Sequence, residues 1–313
     1  MKEKELIRMI TASQMYYEEN MTQAQIAQAM KISRPSVSNL LNRARKEGIV
    51  KIEIQSFDDT SLGKGRELTG RFKLKSCTVV PVDGHREDLQ DELYRTALDF
   101  LLTLLPKTRI LGLGWGYNVS RIVDILDQRE LSQRYTGKVC PLIGTATIPH
   151  RGYHPNELVT DFARKTGFEA DFLITPAFPA TKQERDLFST TDNYNSVLAL
   201  WKRTDTALVT LGSYPCVPDH ATAYRFGRRL ITERATANML SYFFDVNGVR
   251  VTGEDDYALQ IPLQCLKKVK NFIGIAPVGG SVASIIGCLN TGMVRHLIID
   301  ELMAEKVLKS LRQ

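Results

Sequence analysis

Cysteine is scarce and scattered. Five residues (Cys77, Cys140, Cys216, Cys265 and Cys288) are spread over a chain of 313. They form no CxxC pair and cluster with no histidine, so neither a disulfide framework nor a zinc site is expected, and a reducing compartment fits. Long apolar runs are also missing. The longest, such as Leu101 to Leu105, fall far short of the ~20 residues a membrane helix needs. The opening MKEKELIRMI lacks the apolar core of a signal peptide. The expected location is the cytoplasm, with no membrane partner. No GxSxG nucleophile elbow occurs. His150 and His154 share one turn's spacing, but Pro149, Gly152 and Pro155 break the helix that would aim both at a metal. IPHRGYHPN therefore reads as a surface loop or pocket lid. The paired carboxylates Asp58-Asp59 and Asp255-Asp256 read as turns. No metal and no cofactor are expected.

Acidic residues are absent from Lys31 to Lys46, where Lys31, Arg34, Arg43, Arg45 and Lys46 all fall. The whole chain is basic, with net charge +6, which favours a polyanionic partner without naming one. This stretch lies in a recognisable local pattern. Leu6, Ile7, Ile10, Met15 and Tyr16 recur at helical spacing, giving a first helix that ends near Asn20. Thr22 is suited to N-cap the segment TQAQIAQAM, whose buried face is Ile26, Ala27 and Met30. After a short turn at Lys31-Ile32, Ser33 N-caps a third helix, with Pro35 early in it, where a missing N–H costs little. Val37, Leu40, Leu41 and Ala44 point inward, and Gly48 stops the helix. Alternating Val50, Ile52 and Ile54 predict a strand.

Two helices, a tight turn, a recognition helix and a strand make a winged helix-turn-helix, mostly α, spanning residues 1–57. The expected DNA-facing residues are Thr22 and Gln23 at the second helix, with Ser33, Arg34, Pro35 and Ser36 at the start of the third. Ser38, Asn39, Asn42 and Arg43 follow along it. These are donors and acceptors suited to phosphates and major-groove base edges of double-stranded DNA. A solvated basic surface helix would carry the same charges, but not the partner helix and the tight turn.

Ser56 to Gly70 is polar and glycine-bearing, which reads as a hinge followed by a short helix, GRELTGRF. A second domain, 58–313, then alternates short apolar strands with helices. Expected strands are 77–82, 109–113, 139–143, 171–174, 206–211, 271–276 and 296–299. Such a pattern predicts an α/β domain with a mostly parallel sheet covered on both faces. Ligands of such folds sit at the carboxyl ends of the strands. There the sequence places LGLGWGYN, with Gly114, Trp115, Gly116, Tyr117 and Asn118; LIGT, ending at Thr145; and PVGGS, with Gly279, Gly280 and Ser281. TPAFPA and LGSY are further strand ends on the same rim. The glycine loop is no dinucleotide fingerprint, because the third glycine of GxGxxG falls on Tyr117 and no acid ends the next strand.

The chain resembles the SorC family of bacterial sugar-responsive regulators over nearly its full length. TQAQIAQAMKISRPSVSNLLNRARKEGIVKIEI is the most specific stretch; LGLGWG, DTALVTLGS, YFFDVNG and HLIIDELMAEKVL resemble the effector domain. The resemblance implies an effector domain folded like sugar-phosphate isomerases and glucosamine-phosphate deaminases. It implies a homo-oligomer, dimer or commonly tetramer, on a pseudo-palindromic operator near a catabolic operon, acting as repressor or activator. Asn156 and Asn238 join the expected effector site. Four positions depart from the family pattern: Asn118 replaces threonine, Thr145 the second glycine of LxGG, Asn238 an aspartate, and Ala283 a lysine suited to phosphate. These departures predict a ligand other than a typical phosphosugar. It is an uncharged sugar or polyol, an acidic sugar, or a phosphate held by other residues such as Arg151 or Arg185. The function expected is a DNA-binding regulator rather than an enzyme. Two alternatives stand beside it: a sugar-phosphate isomerase or deaminase with a DNA-binding appendage, whose base could be Asp245 or Asp300, and a constitutive DNA-binding scaffold with a dead pocket.

Overall fold

The computed structural model describes residues 3–50, 60–82, 86–215 and 225–312. The chain divides into two compact units, Met1–Ser56 and Phe57–Gln313.

In the first unit, α1 (Glu3–Tyr17), α2 (Gln23–Ala29) and α3 (Arg34–Lys46) close on Ala12, Ile26, Val37 and Leu41. The face α1 buries is not the one formed by Ile7 and Ile10, which are exposed; it carries Met9, Ala12 and Ser13 instead. Small side chains at 12 and 13 let α3 approach closely. The end of α1 comes at Tyr17 rather than Asn20, and Asn20 turns the chain with φ +55°. Thr22 and Gln25 form a reciprocal capping box on α2, with Gln25 Oε1 accepting from the Thr22 amide at 2.9 Å. Ser33 caps α3 by accepting from the Ser36 amide, and Gly48 follows at φ +73°. From residue 51 onward, the expected strand and its wing lie outside the described residues.

The second unit is built on a seven-stranded sheet, parallel throughout. Its strands are β1 (Ser76–Val80), β2 (Ile110–Leu113), β3 (Lys138–Pro141), β4 (Glu169–Ala170), β5 (Thr206–Thr210), β10 (Asn271–Ile275) and β11 (His296–Asp300). The spatial order is β1-β11-β10-β5-β2-β3-β4. Helices α5 (Arg86–Leu104), α6 (Tyr117–Gln128) and α7 (Pro155–Thr166) cover one face with a core containing Leu93, Leu98, Ile122 and Phe162. The other face packs on α4 (Ser61–Phe72), α9 (Asp192–Trp201), α12 (Val282–Asn290) and α13 (Glu301–Arg312). Between them run α8 (Lys182–Ser189) and the single turns α10 (Arg229–Thr232) and α11 (Leu263–Leu266). Trp201 is an anchor of this second core, its indole N–H donating to the Pro141 carbonyl at 2.9 Å.

Three sequence expectations need correction. Residues 61–64 are not a hinge but the first turn of the helix expected over 65–72. They belong to α4, which starts at the Thr60 cap and is tied to α13 by Lys64–Glu301 at 3.0 Å. Gly65 serves close approach there, since a Cβ would come within 2.9 Å of the Cys77 carbonyl on β1. Asp171–Ile174 is not a strand. The Asn156 and Asn193 side chains take the backbone amides of Leu173 and Ile174, at 3.1 and 2.8 Å, in place of a neighbouring strand. A second, four-stranded antiparallel sheet was not expected. It comprises β6 (Gly212–Ser213), β7 (Ala237–Met239), β8 (Tyr242–Phe244) and β9 (Arg250–Val251). Strands of two or three residues are too short to show a period of two.

Among the described residues, Cys140, Cys265 and Cys288 are buried in the core and Cys77 packs against it. Burial pushes the Cys140 thiol up to about 12, which leaves it without thiolate chemistry near neutral pH. His296 is perturbed in the opposite direction. It opens β11, bonded through Nδ1 to Ser76 Oγ at 2.8 Å and set against Phe100. Burial, with a smaller push from Lys75, lowers its pKa from 6.5 to about 4. The fold therefore holds the neutral ring, while an unfolded chain takes up a proton below about pH 6.5. Stability is full above that value and is lost as pH falls towards 4, by up to about 3 kcal/mol from this group. Urea unfolding of wild type and His296→Gln at pH 7 and pH 4.5 should show a smaller pH loss in the variant. Equal losses would contradict the assignment.

Candidate functional site

In the first unit, α3 presents Arg34, Pro35, Ser36, Asn39 and Asn42 to solvent, together with Arg45 and Lys46. Arg34 has no hydrogen bond or ion pair within the described residues, so its guanidinium is available to a phosphate or a guanine edge. Other expected contacts are already engaged. The Thr22 and Ser33 hydroxyls serve as caps, and Asn42 Oδ1 accepts from Arg45 at 3.0 Å. Gln23 and Ser38 are half-buried. Arg43 is paired with Glu5 on α1 and with Glu47. Those partners hold its pKa above the ordinary arginine value, Glu5 contributing most. Its place is thus between α1 and α3 rather than on the outer face of α3.

In the second unit, the strand order sets the site. From β2 the chain proceeds outward through β3 and β4; from β5 it proceeds the other way through β10 and β11. The crevice between β2 and β5 is therefore a topological switch point, where ligands of open α/β sheets bind. A cavity of about 540 Å³ lies at the carboxyl ends of these strands, within the range of small-molecule pockets. Seven expected residues line it: Trp115, Gly116, Tyr117, Asn118, Asn238, Gly279 and Gly280. Gly116 supplies φ +97° for the turn into α6, which a side chain would strain.

Four expected residues do not line it. Gly114 packs on β5, where a Cβ would meet the Leu208 carbonyl at 2.9 Å. Ser281 is exposed at the start of α12. Thr145 and Asn156 border a smaller depression with Thr175 and Pro176. Asn156 uses both polar groups on the Leu173 backbone, at 3.0 and 3.1 Å, which makes it a loop clamp. The sequence reading missed Thr147, Tyr153, Phe178, Thr210, Ser213, Ser241 and Ser284, which share the wall. The rim motifs LGSY and TPAFPA contain Ser213 and Phe178; single serines and threonines elsewhere carry no such signal.

Charges stand behind this wall, not on it. Among the described residues, no Lys, Arg, His, Asp or Glu lines the cavity. Arg151 is ion-paired with Asp124 and Asp161, and Arg185 lies 2.8 Å from Asp186 on α8. Neither lines the cavity. Arg225 comes nearest, its guanidinium 4.1 Å from the Phe178 ring and donating to Ser241 Oγ at 2.7 Å. It is neutralised by buried Asp256, which also takes Arg250 at 3.5 Å. Asp256 is thus no mere turn residue. Helices α6 and α12 begin at the rim, and each N-terminus favours an anion by about 0.3–1 kcal/mol. Desolvating a buried ion costs several kcal/mol, and no side-chain cation among the described residues of the wall offsets that cost. The carboxylates considered as bases are elsewhere. Asp245 closes the 245–249 turn, and Asp300 Oδ1 accepts from the Met303 amide at 2.9 Å at the start of α13. His150 and His154 bond the Gly152 amide and the Ile148 carbonyl, and no metal-binding group of three occurs among the described residues.

A helix-turn-helix unit and an α/β unit with a sugar-sized cavity define a ligand-responsive DNA-binding regulator. The model "Putative sugar-binding domain" matches residues 60–309, and the MarR family model matches 9–58. The Sorbitol operon regulator of Klebsiella pneumoniae is 30% identical over 320 residues, covering 99% of this chain and 100% of that protein. The Deoxyribonucleoside regulator of Bacillus subtilis is 25% identical, covering 96% and 97%. The crystal structure of full-length SorC from Klebsiella pneumoniae superposes with TM-score 0.72 at 28% identity, covering 98% of this chain and 99% of that one. The chain belongs to the SorC family of sugar-responsive transcriptional regulators. These relatives are regulators, not enzymes. No described helix is long and apolar enough to cross a membrane.

Three substitutions separate the roles at the two sites. Arg34→Ala should weaken DNA binding and reduce the salt slope of log K by about 1 if it meets a phosphate. Arg43→Ala should lower the melting temperature of the first unit instead, and a loss of DNA affinity at unchanged stability would refute its packing role. In the second unit, a Cβ at Gly212 would fall 2.0 Å from Asn238 Oδ1. Gly212→Ala should abolish the effector response in a DNA shift assay while leaving basal DNA affinity within about twofold.

Proposed function

We propose that this protein controls a carbohydrate-catabolic operon, binding a pseudo-palindromic operator as a homo-oligomer whose affinity is set by a sugar-like effector in the 540 Å³ cavity. The observation that carries the reading is that cavity, placed at the switch point with aromatic faces and hydroxyls together. Trp115 stands edge-on to Tyr153 at 5.3 Å and to Phe178 at 5.6 Å. Apolar faces of a sugar ring pack on such aromatics, while Thr147, Ser213 and Asn238 face its hydroxyls. Support for the operon class comes from the sorbitol operon regulator among the relatives.

The effector acts only by binding the DNA-competent and DNA-incompetent arrangements unequally. A dimer places two α3 helices ~34–36 Å apart, one DNA turn, or a multiple of it. Higher assembly raises the effective concentration of further half-sites.

A shift assay on DNA upstream of the protein's own gene and neighbouring operon tests this, repeated with sugars, polyols and their phosphates. Salt-dependent specific binding altered by one compound is expected. Specific binding that no compound alters would favour the constitutive scaffold.

A further inference from the structure

We propose that the effector is an uncharged sugar or polyol, recognised through hydroxyl groups, and that its phosphate ester is excluded. This rests on the effector reading above and names the ligand class of the same cavity.

The first argument is charge. No ionisable cation is among the described residues of the wall, and the candidates behind it are each neutralised by a carboxylate. A phosphate or carboxylate entering here would lose water without gaining a counter-ion.

The second argument is hydrogen-bond complementarity. Asn238 Nδ2 donates to the Ser213 carbonyl at 3.3 Å, which leaves Oδ1 as an acceptor without a partner among the described residues. Asn118 is held the opposite way. Buried Tyr94 accepts from Gln90 Nε2 at 2.8 Å and donates to Asn118 Oδ1, leaving the Asn118 Nδ2 donor without a partner among the described residues. Thr210 Oγ1, buried in the wall, has no hydrogen-bond partner among the described residues. One free donor, one free acceptor and one free hydroxyl complement groups that both give and take hydrogen bonds. Hydroxyls do so, whereas phosphate oxygens at neutral pH chiefly accept and would meet Asn238 Oδ1 lone pair to lone pair.

Titration calorimetry on the full chain tests this with D-sorbitol, D-mannitol, D-glucose and D-fructose, each paired with its phosphate ester. At least one uncharged compound should bind, and its ester should bind at least tenfold more weakly. Thr210→Val, which keeps the shape and removes the unpartnered hydroxyl, should retain the melting temperature and weaken the bound uncharged compound at least fivefold. Tighter binding of an ester overturns the proposal, as does binding by no uncharged compound, or an affinity that Thr210→Val leaves unchanged. Operator binding in the same preparation distinguishes this failure from failure of the regulator reading.

Discussion

The reversal of strand order between β2 and β5 is the constraint on which the effector unit depends. Two adjacent parallel strands whose connections leave in opposite directions cannot have a helix packed over their shared carboxyl end. The opening that results is lined by Trp115 and Gly116, just after β2, and by Thr210 to Ser213 at the end of β5. Close packing around it is strict. Gly114 touches the backbone of β5, and the Gly152 carbonyl accepts from the Gly116 amide at 2.6 Å. The glycines of this loop thus serve backbone approach and turning, and the side chains that follow them reach the cavity.

Electrostatics follow from the same arrangement. Arginines near the cavity are held by carboxylates on the surrounding helices and loops, Arg151 by Asp124 and Asp161, Arg225 by Asp256. Each pair fixes a wall segment while keeping net charge away from the ligand space. Arg225 also links the small antiparallel sheet, through Ser241, to Phe178 on the far wall. In the first unit Arg43 plays a comparable part between α1 and α3, which leaves Arg34 as the unpaired cation at the start of α3.

Much of the chain was legible because local physics repeats along it. Thr22 and Ser33 cap the helices they were expected to cap, since a cap needs only a side-chain oxygen and the next turn's amides. Six of the seven expected strands form, because a buried parallel strand is a short apolar run that needs no distant information. The seventh, 171–174, fails because Asn156 and Asn193, distant in sequence, take its backbone bonds. Gly63 resembles a hinge in sequence and is buried in α4, whose Gly65 lies against the Cys77 carbonyl of β1.

The sequence by itself determined the helix-turn-helix, the parallel α/β unit, the glycine loop at Gly114 to Asn118 and the family. These rest on periodicity, caps and contiguous motifs, all of them short-range. Only the tertiary structure decided which arginines are free and which are paired, and that Asn156 is a clamp while Asn238 is a wall residue. Only it gathered Thr147, Phe178, Thr210 and Ser284 around one space. The reason is physical: a pocket's charge and hydrogen-bonding capacity are what remain after distant partners have been satisfied, and those partners meet only when the sheet is assembled.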